Sequence, residues 1–345
     1  MKMLIIFWAG LGNTILLVPT LKVIRSLFAQ GKIHMLIKEK IVPKVLEGSG
    51  LVDRYIVYNK SSNAISNLWE RLKIIWKLGA KKYDRIITVS NSYNSAFLTS
   101  IVHAKLKIGY ASGRWWDRAY DITVNMDESI HEVDGRLNLV KPLGMPAIIE
   151  RIPEIQIGNE EKEFARKVVK RVNKENNDVI VGIHPGCSDA LINKRWYPDR
   201  FAKVADILSG RYNASIILFG GPNEIKLTDK ILGMMNKLAP LVLAGKTSIK
   251  ETAAVIGECS LFISNDSGLM HVAAAMKTPV ISILGPTSIK KNAPIGYEHL
   301  VVSKQYSCSP CQYHIADHEC PMNYGCLTDI SVNDVLHKVE GVIRQ

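Results

Sequence analysis

Residues 261–284 read LFISNDSGLMHVAAAMKTPVISIL, and this stretch decides the fold. An apolar run, Leu261–Ser264, stops at the polar cluster Asn265-Asp266-Ser267-Gly268. Helix-forming residues then continue to Met276, and a second apolar run follows at Val280–Leu284. Strand, turn, helix and strand in so short a span specify a parallel βαβ unit, because a helical crossover returns the chain to the same end of the sheet. At the strand-to-helix junction, free backbone amides and the positive end of the helix dipole favour a phosphate group. Plain N-capping accounts for one polar residue there. It does not account for four polar or small residues in a row, with His271 one turn into the helix.

The same grammar extends upstream. Val179–Ile183 reads as a strand ending in His184-Pro185-Gly186, followed by a helix near 199–209. Ser215–Phe219 is a strand ending in Gly220-Gly221-Pro222, then come a helix near 223–236, a short strand at 241–243 and a helix near 248–257. In the first half, the apolar run at residues 3–8 leads through Gly10-Leu11-Gly12 into an apolar-periodic stretch from Thr14 to Phe28. Further strands are expected at 33–37, 55–58, 85–89 and 106–109, with helices between them. Alternation at these lengths specifies an α/β chain with two doubly wound parallel sheets, each covered on both faces. Residues 144–178, with Pro146, Pro153, Gly158 and the charged helix Glu160–Asn173, mark the boundary. The expected domains are 1–155 and 156–330, with a C-terminal helix at 331–345. Ligands of such sheets sit at the carboxyl ends of the strands, where the glycine turns fall, and the two sheets are expected to face a central cleft.

The chain has 345 residues, 47% of them hydrophobic and 22% charged, which suits two globular domains. No run approaches the ~18 unbroken apolar residues of a membrane span. The apolar N-terminal run is too short for a secretory leader and enters a glycine turn, so it reads as the first buried strand of a cytoplasmic protein. Net charge is +12 and unevenly spread: 21 Lys and Arg against 12 Asp and Glu through residue 150, but 23 against 20 beyond it. The first domain is therefore expected to meet something anionic. No motif supports nucleic acid as that partner.

Lys194, a compact cation, and Arg195, a bidentate donor, follow the His184-Pro185-Gly186 turn and suit a diphosphate. The glycine pair at Gly10 and Gly12 lacks the third glycine of the dinucleotide fingerprint, which counts against an NAD-dependent oxidoreductase. No Asp-x-Asp triplet occurs to hold a divalent ion against a diphosphate. Lys194 and a helix N-terminus are expected to take that charge, with no catalytic metal or other cofactor required. Cys308, Cys311, Cys320 and Cys326, with His314 and His318 nearby, are zinc-ligating types. Their irregular spacing favours reduced, packed cysteines. Residues 64–79 carry Leu68, Trp69, Leu72, Ile75 and Trp76 at helical spacing, with Arg71, Lys73 and Lys77 between them. That stripe reads as core against a sheet in preference to a basic helix lying on a membrane. Trp115-Trp116, beside Arg114 and Arg118 in an expected loop, is the better candidate for touching lipid or sugar.

These segments carry a resemblance. Gly10-Leu11-Gly12-Asn13-Thr14, His184-Pro185-Gly186, Lys194-Arg195-Trp196, Gly220-Gly221-Pro222, Ala244-Gly245-Lys246-Thr247-Ser248 and Asn265 through Ala275 together resemble glycosyltransferase family 9. Asn91-Ser92-Tyr93-Asn94-Ser95-Ala96 and His131-Glu132-Val133-Asp134 lean toward its heptosyltransferase II branch. The resemblance implies a GT-B fold of two Rossmann-like domains, with acceptor on the first and nucleotide-sugar on the second. It implies an inverting, metal-independent transfer of heptose from an ADP-linked donor to an anionic lipid-linked saccharide of the lipopolysaccharide core. Such an enzyme would work at the cytoplasmic face of the inner membrane. On the donor side it implies contacts from Lys194 to the diphosphate, with His184, Gly186, Arg195, Asp266, Ser267, Gly268 and His271 around it, and Gly220, Gly221, Glu224 and Thr247 near the nucleoside. On the acceptor side it implies Gly10, Gly12, Asn91, Ser92 and Arg114. One departure concerns Asn13, which stands where many members have the Asp that serves as general base. An amide does not take a proton from the attacking hydroxyl. The sequence does not choose a replacement among His34, Glu39 and Asp84. Other readings are a non-catalytic sugar-binding descendant of the fold, motivated by Asn13, and a nucleotide-sugar epimerase.

Overall fold

The computed structural model describes residues 1–59, 63–79, 81–173, 179–236, 240–311, 320 and 322–343. The chain forms two compact units, Met1–Gln156 and Ile157–Gln345. The first contains β1 (Lys2–Phe7), α1 (Leu11–Leu27), β2 (Lys32–Ile37), α2 (Ile41–Leu46), β3 (Arg54–Val57), α3 (Ala64–Gly79), β4 (Tyr83–Thr88), α4 (Tyr93–Ile101), β5 (Ala104–Tyr110), β6 (Ile122–Val124) and α5 (Glu132–Val140). Its strands lie in the order β3-β2-β1-β4-β5-β6, and every pairing is parallel. This is the doubly wound order in which the connections reverse direction between β1 and β4. There the Trp8 amide donates to Ser90 Oγ at 2.8 Å, joining the chain leaving β1 to the chain leaving β4.

The second unit contains α6 (Asn159–Val172), β7 (Ile180–His184), α7 (Pro198–Tyr212), β8 (Ser215–Leu218), α8 (Ile225–Leu232), β9 (Leu241–Val242), α9 (Ile249–Gly257), β10 (Leu261–Asn265), α10 (Gly268–Ala275), β11 (Val280–Ile283), α11 (Ile289–Asn292), β12 (Val301–Val302), α12 (Gly325–Thr328) and α13 (Val332–Ile343). Its parallel sheet runs β12-β11-β10-β7-β8-β9, with the reversal between β7 and β10. Every residue of β7 and of β10 is buried, as the continuous apolar runs of a sheet covered on both faces require. Gly182 makes room inside: a Cβ there would lie 2.6 Å from the Phe262 ring, which packs edge-on against Phe219. No described helix is long and apolar enough to cross a membrane.

Three expectations need correction. The helix expected over 223–236 is a 3-10 turn at Pro222–Glu224 followed by α8, because the Glu224 carboxylate folds back onto the Gly221 amide at 2.7 Å. The segment around Trp115 is a short 3-10 helix, Trp115–Ala119, rather than a loop. The stripe on α3 is not core. Ile74 and Leu78 are buried in the first unit's core, whereas Trp69 (68% exposed), Leu72 (47%) and Trp76 (74%) face outward. Ile74 and Leu78 are spaced i, i+4 and define the buried face, which sets the stripe at 69, 72 and 76 on another side of the helix. The side chains of Leu68 and Arg71 lie outside those described.

His34 and Asp84 sit toward the amino ends of β2 and β4, away from the carboxyl edge that carries Asn13. Asp84 accepts the Lys2 amide and pairs with Lys105. His34 is buried 3.2 Å from the Tyr83 hydroxyl. Burial first, then the charges of Lys2, Lys81 and Arg54, push its pKa from 6.5 to about 4. Between those values the unfolded chain takes up a proton that the folded ring resists. Stability contributed by neutral His34 is therefore lost as pH falls from 6.5 toward 4. His34→Gln is expected to flatten the fall of the urea midpoint across that window; an unchanged slope would show that His34 does not titrate this way.

Candidate active site

In the second unit the strand-end turns converge where the topology reverses. His184, the last residue of β7, places Nδ1 3.0 Å from Ser267 Oγ and Nε2 3.1 Å from Glu224 Oε2, all largely buried. Gly186 is what lets Glu224 in, since a Cβ there would lie 1.6 Å from Glu224 Oε1. Burial alone would raise the Glu224 pKa. The hydrogen bond and charge of His184, with the Gly221 amide, outweigh it and hold the carboxyl below its usual range. Gly220 O accepts from the Gly245 amide at 2.9 Å, joining this turn to the loop that carries Thr247. Thr247 itself bonds to Thr252 in α9.

Ser267 occupies the N-cap position of α10, yet its hydroxyl does not cap the helix. It bonds instead to His184 and to Ser264 Oγ. The first-turn amides, beginning at Gly268, therefore keep their donors available for an anion. Lys194 Nζ lies 2.8 Å from Asp266 Oδ2, and both side chains are nearly buried. An ammonium has three donors, so this pairing fixes the cation beside the helix N-terminus and leaves hydrogens to spare. Arg195 donates to Cys187 O at 3.1 Å, which ties it to the loop after β7. His271 is buried within α10. Asn265, quoted in the sequence motif without a role, is the staple of the site. Its amide nitrogen donates to Pro185 O at 2.7 Å, and its oxygen accepts the Trp196 amide at 3.0 Å.

The residues expected on the acceptor side occupy the corresponding edge of the first unit. Gly10 precedes α1, with Gly12 in its first turn. Ser92 caps α4 by accepting the Ser95 amide, and Asn91 is exposed beside it. Arg114 lies 4.9 Å from the Trp116 ring centroid. Asn13 is held by Arg136 of α5, whose guanidinium donates to both its backbone oxygen and its side-chain oxygen. The same buried guanidinium reaches Glu132 at 3.3 Å. With its oxygen so occupied, the Asn13 amide offers its N–H donors. At the carboxyl ends of β1, β2 and β3 lies a cavity of about 210 Å³ lined by Trp8, Lys38, Tyr58, Ile74, Tyr93 and Phe97, among others. Lys38 Nζ stands 4.8 Å from the Trp8 ring centroid.

The sequence profile of glycosyltransferase family 9 (heptosyltransferase) matches residues 71–320, well over half of the chain. The chain belongs to glycosyltransferase family 9. It is a glycosyltransferase. Lipopolysaccharide heptosyltransferase 3 of Escherichia coli K12 is 26% identical to it, over 97% of this chain and 96% of the relative. A family 9 protein of Veillonella parvula superposes with a TM-score of 0.82 at 26% identity, covering 99% of this chain and 96% of its own. The Escherichia coli ADP-heptose lipopolysaccharide heptosyltransferase II superposes at 0.78 with 22% identity, covering 100% and 99%. Two six-stranded parallel sheets with these neighbours make the fold GT-B.

Within this family 9 chain the six cysteines are free. Cys326 is buried, and burial first, then the neighbouring Cys311, Cys320 and Cys308, push its thiol up to about 11, which suits packing over reactivity. Among the described residues no group of three or more His, Cys, Asp or Glu is arranged to hold a metal ion. His314 and His318 lie outside the described residues. Two site residues of this family 9 chain escaped the sequence reading, Arg136 and Asn265. Arg136 carried one signal: an arginine one turn after Glu132 in a helix that continues Leu-Asn-Leu-Val.

Proposed function

We propose that this chain transfers a heptose from ADP-heptose to an anionic, lipid-linked saccharide of the lipopolysaccharide core, inverting the anomeric centre and using no catalytic metal or other cofactor. The observation that carries the reading is the Lys194–Asp266 pair beside the uncapped start of α10. A nearly buried cation and a row of amide donors supply what a diphosphate leaving group needs as its charge grows. Diphosphate oxygens accept from Lys194 and the Gly268 amide region, while Glu224, reached through the Gly186 and Gly221 turns, accepts from a ribose hydroxyl. The acceptor hydroxyl attacks the sugar's anomeric carbon, its proton passes to solvent water, the bond to the diphosphate oxygen breaks, and ADP leaves. Membership of family 9 and the name of the Escherichia coli heptosyltransferase II support the donor assignment.

On the first unit, the cavity walled by Trp8, Tyr58, Tyr93 and Phe97 suits the apolar face of a sugar ring, and Lys38 suits an acidic one. The excess of 21 cations over 12 anions through residue 150 suits the same acceptor. The acceptor's lipid places the enzyme at the cytoplasmic face of the inner membrane.

Asn13, gripped by Arg136, stands where a carboxylate could take the proton of the attacking hydroxyl. In Asn13→Asp the new carboxylate would pair with the buried Arg136 guanidinium, which already has Glu132 as counter-charge at 3.3 Å. The variant is expected to raise Tm and to keep or raise turnover. A loss of about tenfold or more would show that the amide donor itself is needed. The activity test is incubation with ADP-heptose, with and without a lipopolysaccharide-core acceptor. Release of ADP that depends on acceptor, with a heptosylated product, supports transfer. Conversion of the donor sugar without acceptor would make the protein an epimerase and sink the proposal.

A further inference from the structure

Six of the largest exposed apolar side chains fall on three adjoining elements of the first unit. Trp69, Leu72 and Trp76 come from α3, Tyr93 and Phe97 from α4, and Trp115 from the 3-10 helix after β5. Their adjacency is direct. Tyr93 stacks on Phe97 with ring centroids 6.4 Å apart and meets Trp115 at 5.7 Å. Tyr93 and Phe97 also line the aromatic cavity, whose wall includes Ile74 and Ile75 of α3. Leu72 stands one turn from Ile75, so the exposed stripe of α3 continues outward from that wall.

The charges beside this face are mostly positive. Lys73 and Lys77 interleave the α3 stripe and are exposed. Arg114 and Arg118 flank Trp115, while Asp117 between them is taken up by the Ser112 and Gly113 amides. Glu70 pairs loosely with Lys73 at 3.5 Å. Tryptophan and tyrosine among lysines and arginines match a membrane interface with anionic headgroups, where the rings enter the acyl boundary and the cations stay at headgroup level. A second copy of the chain suits the face less well. A two-fold contact would set Lys73 and Lys77 against the same surface of the partner.

We infer that the face formed by Trp69, Leu72, Trp76, Tyr93, Phe97 and Trp115 docks on an anionic bilayer, with the aromatic cavity opening at its margin. This rests on the reading of the acceptor as lipid-linked and names the surface that meets the lipid. The docking presents a saccharide emerging from the headgroup layer to the cavity without drawing its acyl chains out of the membrane.

The test compares the full chain with Trp69→Ser/Trp76→Ser, both exposed and so safe for the fold. Sedimentation with phosphatidylglycerol-containing and pure phosphatidylcholine vesicles is read together with calorimetric ADP binding. Wild type is expected to partition onto the anionic vesicles, and the variant about tenfold or more weaker, with ADP binding unchanged. Its turnover should fall on vesicle-borne acceptor but not on the water-soluble saccharide portion. Equal partitioning of both proteins, or no dependence on anionic lipid, would overturn the inference while leaving the donor site standing. A variant that turns a dimer into a monomer without altering vesicle binding would assign the face to a second copy instead.

Discussion

Gly186→Ala is expected to leave a folded protein that has lost most of its nucleotide affinity. The added Cβ would meet the Glu224 carboxylate at 1.6 Å, a distance at which one of them must leave. Glu224 is the one able to move, being the end of a flexible side chain. Its departure breaks the 3.1 Å contact to His184 and the 2.7 Å bond from the Gly221 amide. Leaving such buried groups unmatched costs about 1–3 kcal/mol, tolerable for a domain of this size. Binding suffers more, because the displaced carboxylate would occupy the space between the turns that the nucleoside needs. An ADP affinity lower by on the order of 100-fold, with Tm reduced by only a few degrees, is expected. Glu224→Gln, which keeps the shape, should lose less. If Gly186→Ala binds ADP as wild type does, Glu224 is not part of the donor site.

Lys194→Ala has the second large effect, and it acts in two ways. It removes a charge-assisted contact worth roughly 1.5–3 kcal/mol. It also leaves Asp266, which had Lys194 at 2.8 Å, as an uncompensated carboxylate beside an anionic ligand. Together these are expected to weaken ADP by about 100-fold. The second contribution is separable: Lys194→Ala/Asp266→Asn should bind ADP more tightly than Lys194→Ala alone. Calorimetry on the two variants checks this. A double variant no better than the single would mean that the pair is structural and that the diphosphate lies elsewhere.

Much of this was legible in the sequence because the strands are buried on both faces. Runs such as residues 3–8 and 261–264 announce themselves without alternation, and the glycine turns after β7 and β8 mark the carboxyl ends, where ligands of such sheets bind. β10 extends one residue further than its apolar run, through Asn265, because that side chain is consumed inside the site and its backbone stays in register with Ile283. Contacts distant along the chain were not legible. Arg136 reaches Asn13 across 123 residues, and no local pattern pairs them. On α3 the period gave the helix correctly but not its orientation. Several apolar residues on different sides leave the buried face undetermined until a neighbour such as α4 is placed. His34 and Asp84 show the same limit: their types suggested chemistry, while strand register put them at the other end of the sheet.

The central claim is that the second unit is a metal-independent site for an ADP-linked sugar. Calorimetric titration of the purified wild-type chain with ADP and with UDP, in buffer containing chelator, tests it most directly. Saturable ADP binding, tighter than UDP, is the predicted result. Binding of neither nucleotide under these conditions, or a preference for UDP, would contradict it.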